Sequence, residues 1–239
     1  MQAALGHLQL PTVISAIGGL GIAAFGLLEA VKPACPLLNR IGFKFIRRTV
    51  AALTPAERGA GSPLNALPAA AVLHTLQANW ENGVHLVDQK AIAKSLIKLH
   101  LSVVNAAQVA AAANVDPEAL TAVAASMASG APLTEKESDV WSRFDLIVTA
   151  MLDESYQCAD QVFRNAMRGL AAAIAVALAI AGGWMVNSAT ASFGTYLASP
   201  DFGRSLLVGL LATPLAPVAK DLSTALATAV NAMQLVKRP

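Results

Sequence analysis

Hydrophobic and polar positions follow two styles along this chain: long uncharged runs toward its ends, and amphipathic stripes of helical period between them. The first run, Leu10 to Leu28 (LPTVISAIGGLGIAAFGLL), holds nineteen uncharged residues. At a rise of about 1.5 Å per residue it nearly covers a hydrocarbon core about 30 Å thick. The second, Gly169 to Val186 (GLAAAIAVALAIAGGWMV), holds eighteen, and the uncharged stretch continues to Pro200. The third, Ser205 to Ala219 (SLLVGLLATPLAPVA), is short at fifteen residues, but Arg204 and Lys220 flank it with stems that snorkel. Pro214 and Pro217 are expected to kink it.

Between the first two runs the pattern predicts helices with polar faces. NRIGFKFIRRTVAAL places Arg40, Lys44, Arg47 and Arg48 at helical spacing, with Ile41, Phe43, Phe45, Ile46 and Val50 elsewhere around the turn. An interfacial helix touching anionic lipid headgroups has this form. The same charges serve equally well as stop-transfer charges behind the first run. After the breakers GAGSP and Leu67-Pro68, AAAVLHTLQANW reads as a short helix ending near Asn82-Gly83. Asp88 is the expected N-cap of one helix over QKAIAKSLIKLHLSVVNAAQVAAAA. Its apolar stripe is Leu96, Leu99, Val103, Ala106 and Ala110, and Lys90, Lys94 and Lys98 form a basic row. The Asn, Gln and His residues in this helix argue against a fourth span. Asp116-Pro117 opens a further helix and Gly130 stops it.

Thr134 and Glu137 form a capping box, and no Gly or Pro follows until Gly169. Helix is therefore expected to run unbroken toward the second uncharged run, and if Gly169 is absorbed rather than breaking it, a single helix of about 50 residues would reach roughly 75 Å. Val140, Phe144, Ile147, Met151, Val162 and Met167, with Trp141, Val148, Leu152 and Phe163 beside them, mark its apolar stripe. The opposite face carries Glu135, Asp139, Asp145, Asp153, Glu154 and Asp160. The Lys90, Lys94, Lys98 row is expected to pair with Asp145, Asp153 and Glu154, within one chain or between copies. Ordinary solvated faces are the alternative, and joint reversal of Lys94 and Asp153 separates the two.

Composition moves the picture toward a membrane. The chain is 55% hydrophobic and 13% charged, against about 25% charged residues in soluble proteins. Its net charge of +2 gives no nucleic-acid footprint. Cys35 and Cys158 belong to no metal or redox motif and are expected to be free thiols. Charge asymmetry is the stronger signal. Residues 1–31 contain no Lys or Arg, whereas 32–58 contain six (Lys32, Arg40, Lys44, Arg47, Arg48 and Arg58). Arg164 and Arg168 precede the second run, and Lys220, Lys237 and Arg238 follow the third. The positive-inside rule then expects the N-terminus outside, with the insert and C-terminus in the cytoplasm. The stretch before the first run lacks the basic residues of a signal peptide, and Lys32-Pro33 stands where small cleavage-site residues belong, so a retained anchor is expected.

The fold expected is an all-α integral membrane protein with three transmembrane helices and a cytoplasmic helical insert. Its parts are a first span at 1–31, the insert at 32–134, a long helix through the membrane at 135–186, an extracytoplasmic loop at 187–204, and a third span with a tail at 205–239. Trp184 falls near the outer interface.

The sequence offers no catalytic, cofactor or metal set. His7, His74, His85 and His100 have no ligand spacing, and phosphate-loop, dinucleotide and nucleophile-elbow motifs are missing. Asp153 and Glu154 diverge by about 100° on a helix and cannot share a substrate atom. An enzyme is not expected, and no small-molecule substrate is evident. Smallness is the notable property of the spans. Gly18, Gly19, Gly21, Ala23 and Gly26 in the first, and Gly182-Gly183 in the second, allow close helix packing. Glu29, beside Lys32, and Lys220-Asp221 lie at span ends, so no buried ion relay is visible. The leading expectation is a noncatalytic assembly, scaffold or accessory subunit with lipids, further copies or a larger membrane complex as partners. The alternative is an oligomeric pore lined by Asn187, Ser188, Thr190 and Ser192.

The order of an N-terminal span, a helical insert, WSRFDLIVTAMLDESYQCADQVFRNAMR entering a second span, and a short third span ending LLATPLAPVAKDL resembles a group of uncharacterised bacterial inner-membrane proteins. Phe144, Asp145, Met151, Thr213 and Asp221 stand at positions matching that pattern. CADQVFRNAMR departs from it, replacing an aromatic, basic cluster before the second span. The resemblance covers most of the chain and implies a bacterial inner-membrane location without naming an activity.

Overall fold

The computed structural model describes residues 10–55, 67–187 and 192–236, and every regular element among them is helical. His7, the GAGSP breakers, Ser188 and Thr190 lie outside the described residues. The elements are α1 (Leu10–Val31), a 3-10 turn (Lys32–Ala34), α2 (Pro36–Asn39), α3 (Phe43–Leu53), α4 (Ala69–Glu81) and α5 (Leu86–His100). They continue with α6 (Ala106–Ala113), α7 (Pro117–Ser129), α8 (Glu135–Asn187), α9 (Phe193–Leu197) and α10 (Pro200–Val236). Among the described residues three helices are long and apolar enough to cross a membrane, over Thr12–Ala34, within Glu135–Asn187 and over Pro200–Asp221. The chain divides into two compact units, one of Met1–Ala34 and Asn165–Pro239, the other of Cys35–Arg164.

The Cys35–Arg164 unit is built on one apolar core. Phe43, Ile46, Val50 and Leu53 of α3 meet Val72, Leu76 and Trp80 of α4, and Ala93 and Ile97 of α5. Val109, Ala110 and Ala113 of α6 and Leu120 of α7 belong to it, as do Phe144, Val148, Leu152, Tyr156 and Ala159 of α8, at the three- and four-residue steps that keep side chains on one helix face. Tyr156 and Ala159 fill the gap that the expected stripe left between Leu152 and Val162. Burial pushes the Tyr156 phenol well above its ordinary pKa, so it stays a neutral hydroxyl.

Local chemistry sets the ends of these helices. Thr134 N and Oγ1 donate to Glu137 Oε2 at 2.7 and 2.8 Å, and Glu137 N donates back to Thr134 Oγ1 at 3.3 Å. This is a closed capping box ahead of α8. Asp116 accepts from Glu118 N at 3.0 Å, Pro117 opens α7, and Gly130 ends it in the left-handed region. Gly42 has φ +90, and a side chain there would strike the Ala159 carbonyl, so the turn into α3 requires glycine twice over.

The structure corrects the expected single helix over residues 89–113. Ser102 N donates to Asn105 Oδ1 at 2.8 Å and Asn105 Nδ2 donates to the His100 carbonyl at 2.8 Å. These local bonds compete with the helix ladder, so α5 stops at His100 and α6 begins at Ala106. Asp88 is not the cap. It lies in the first turn of α5 behind the cap position at His85, where a carboxylate still favours the helix dipole. The buried face of α5 is Gln89, Ala93, Ile97 and His100, whereas Leu99 and Val103 of the expected stripe are 64% and 44% exposed.

In the other unit, α1 and α10 form a close seam. Gly18 opposes Leu215 and Ala219, whereas Gly21 opposes Ala212 and Ala216, so the pair is antiparallel. Gly209 lies against Val176, and Gly183 against Ser205 and Tyr196, so α8 and α10 are antiparallel as well. Ala24, Ala175 and Ala212 meet where the three helices converge. An N-terminus outside with a C-terminus inside needs α1 and α10 to cross in the same direction, and the antiparallel seam departs from that expectation. Charge asymmetry reads each flank separately and carries no information on which helices pack together.

Two boundaries also shift. The region 187–204, expected as a loop, contains α9, capped by Ser192 through Thr195 N, and the start of α10. Pro200 at the first helical position and Asp201 in the first turn favour that earlier start. The helix continues through Pro214 and Pro217.

Candidate functional site

The most organised polar feature joins α5 to α8. Lys90, Lys94 and Lys98 recur every four residues, which aligns their side chains along one face of α5. Lys90 Nζ lies 2.5 Å from Asp153 Oδ1, Lys94 Nζ lies 2.9 Å from Asp145 Oδ2, and Lys98 bonds the other Asp145 oxygen. Lys94 also donates to Thr149 Oγ1 at 3.2 Å, and Lys98 stands over the Trp141 ring, 5.0 Å from its centroid. The helices run antiparallel here, because rising numbers on α5 meet falling numbers on α8. Glu154, the third acid expected in this set, is exposed and makes no ion pair among the described residues. Adjacent positions on a helix point about 100° apart, so Asp153 and Glu154 cannot both face α5. Burial raises the Asp145 carboxyl, but hydrogen bonds from Lys98 and Lys94 outweigh it and hold the pKa below the ordinary value.

His100, at the end of the same helix, is buried with both ring nitrogens engaged. Nδ1 lies 2.7 Å from the Leu67 carbonyl and Nε2 lies 3.1 Å from the Pro55 carbonyl. The imidazole thereby ties the end of α3 to the approach of α4. Its spacing to other ligands suggested no such role, since its partners are backbone atoms that no side-chain motif reports.

The basic residues of the expected headgroup site divide. Arg40 Nε bonds Glu81 Oε1 at 2.8 Å, and hydrogen bonds from Gln77 and Arg40 hold the Glu81 carboxyl below its ordinary pKa. Lys44, Arg47 and Arg48 are exposed on α3, outside its buried stripe of Phe43, Ile46, Val50 and Leu53.

The glycines divide too. Gly18 and Gly183 of the expected packing set sit against neighbouring helices, whereas a methyl group at Gly19, Gly26 or Gly182 would meet open space. Gly21 and Gly209 are as tightly enclosed as Gly18. A helix with glycine at several adjacent positions carries no internal sign of which face meets a partner. Around Gly183, Tyr196 is buried and donates to Ser205 Oγ at 2.8 Å, and Trp184, Phe193, Tyr196 and Phe202 form a chain of ring contacts with centroids 5.3 to 6.5 Å apart.

A shallow groove of about 580 Å³ runs between α7 and the start of α8, past Asp116, Thr134, Lys136, Glu137 and Asp139. Asp116 and Glu137 are engaged as caps, and Glu137 also accepts from Ser126 at 2.9 Å. The groove thus presents helix-end chemistry, not groups converging on a reacting atom. Cys35 and Cys158 are free thiols, both half-buried. In comparison with known proteins, the chain matches no family model, no curated protein and no solved structure.

Proposed function

We propose that this chain is a noncatalytic, membrane-anchored assembly, scaffold or accessory subunit. Its Cys35–Arg164 unit presents helix faces to a partner, and its apolar helices seat against one another or against further copies. The observation that carries this reading is α8. Phe144 to Ala159 contribute to the core of one unit and Ala171 to Gly183 contribute to the small-residue packing of the other, on one helix of 53 residues. In this reading the membrane-crossing part of the chain is the anchor of the Cys35–Arg164 unit.

In the same reading α8 and α10 cross a bacterial inner membrane as an antiparallel hairpin. Arg164 and Arg168 before it, and Lys220, Lys237 and Arg238 after it, favour the cytoplasm for both flanks. The ring cluster around Tyr196 then falls at the outer interface, where aromatic side chains are enriched. The resemblance to bacterial inner-membrane proteins supports the location. For α1 the six cations behind it favour an inward crossing, and its antiparallel seam with α10 favours the opposite sense. Topology reporters ahead of Leu10 and after Pro239 decide the matter. Opposite sides support the charge rule, and the same side supports the seam.

The functional reading is tested by purifying the full chain in mild detergent, measuring its mass, and assaying ion leak from liposomes. A defined assembly without leak is expected. A closed ring with conductance would replace the scaffold by a pore.

A further inference from the structure

We infer that the exposed face of α3 is a docking surface for anionic lipid headgroups, formed by Lys44, Arg47 and Arg48. The inference rests on the membrane-anchored reading above and names the lipid chemistry that this part of the chain selects. Three observations carry it. The three cations occupy positions i, i+3 and i+4, so they project from one side of α3 as a single patch. All three are exposed and make no ion pair among the described residues, and the chain from Ala30 to Ala56 contains no acid to neutralise them. The fourth cation of the sequence cluster, Arg40, is bonded to Glu81 and leaves the set.

The patch also lies close in sequence to a membrane-crossing candidate. Lys44 comes ten residues after Ala34, where the first apolar helix segment ends. Clusters of Lys and Arg immediately beside a span are attracted to the negative surface of the cytoplasmic leaflet. The buried face of α3 sharpens the mode of contact. Phe43, Ile46, Val50 and Leu53 are committed to a protein core, so this helix has no free apolar wedge to push between acyl chains. Contact is confined to headgroups, is electrostatic, and weakens with salt.

Each cation near an anionic surface contributes on the order of fivefold in binding, so three give on the order of a hundredfold. The test uses the full chain in neutral detergent, titrated with phosphatidylglycerol or phosphatidylcholine and read by native mass spectrometry. The native chain is expected to take up phosphatidylglycerol in preference to phosphatidylcholine. R47Q/R48Q is expected to lose roughly 25-fold in phosphatidylglycerol binding, with phosphatidylcholine unchanged. K136Q/R143Q, which removes two exposed cations from α8, is expected to stay within about twofold of the native chain, since neither sits in the α3 patch. Unchanged helical content and melting temperature for R47Q/R48Q exclude misfolding as the cause.

Equal losses in the two double variants, or equal binding of the two lipids, would overturn the inference. So would complete displacement by millimolar inorganic phosphate, which identifies a free anion as the ligand. Alkaline carbonate extraction of membranes from producing cells separates this failure from that of the parent reading. A native chain released by carbonate refutes membrane anchoring itself, whereas a retained chain without lipid preference refutes the α3 surface alone.

Discussion

Lys94 Nζ stands 2.9 Å from Asp145 Oδ2, fixing the register of α5 against α8, while Lys98 bonds the second oxygen of the same carboxylate. Pairs this exposed are each worth about 0.2–1 kcal/mol. A double-mutant cycle on Lys94 and Asp145 is therefore expected to give a coupling near the upper end of that range, and one on Lys90 and Asp153 near the lower. Lys94 and Asp153, which the sequence alone proposes as a test pair, should show none. Coupling between Lys94 and Asp153 in a denaturant series would sink this register.

Acid should weaken the same joint. The Asp145 carboxyl has a folded pKa below its unfolded value of about 3.9. Its contribution to stability is thus complete above about pH 4 and is lost as pH falls through the depressed value. Melting temperature recorded between neutral pH and about pH 3 should fall at the acid end, and D145N should flatten that fall. An identical profile for D145N would assign the acid sensitivity to other groups.

His100 is expected to be costly to remove. Substitution by Leu keeps an apolar volume but leaves the Pro55 and Leu67 carbonyls without their ring partners. A lost buried partner costs about 1–3 kcal/mol, and a loss of that size is expected in chemical denaturation. Asn, which retains a donor, should recover part of it. A Leu variant as stable as the native chain would show that water reaches both carbonyls.

Gly42 and Gly83 both have positive φ, but only Gly42 has a neighbour, the Ala159 carbonyl, in the way of a side chain. Alanine at Gly83 is expected to cost about 1 kcal/mol from backbone strain alone. At Gly42 strain and overpacking combine to at least about 2–3 kcal/mol. Equal effects at the two positions, measured by thermal unfolding, would show that α3 shifts freely away from α8.

The caps of α7 and α8 are legible in the sequence because their signals are short-range. Thr134 with Glu137, and Asp116 with Pro117, carry their partners within a turn, and the structure closes both caps. The basic row of α5 and the acidic face of α8 are likewise visible as spacing, but their register depends on packing around Tyr156 and Ala159, far away in sequence. The break after His100 is not legible in the spacing, because Ser102 and Asn105 look like ordinary helix-tolerated residues while their side chains bond the backbone. The spacing of Phe43, Ile46 and Val50 fits an interfacial helix and a protein core alike, since an apolar helix face looks the same whether lipid or protein covers it.

The seam between α1 and α10 is expected to divide the glycines of the first span by tolerance. G18A and G21A should cost about 1–3 kcal/mol each through overpacking, whereas G19A and G26A, facing open space, should be neutral or slightly stabilising. Resistance to unfolding in mixed micelles measures the difference, and four equal responses would remove the seam.

That division has a genetic side. Any missense change in a glycine codon installs at least a methyl group, so at Gly18, Gly21 and Gly209, enclosed by a facing helix, every such change meets a packed neighbour. Alanine-rich and glycine-rich runs usually drift freely, since one small residue replaces another without consequence. In this chain some of the plainest letters of the sequence are the ones whose enlargement the facing helix opposes directly.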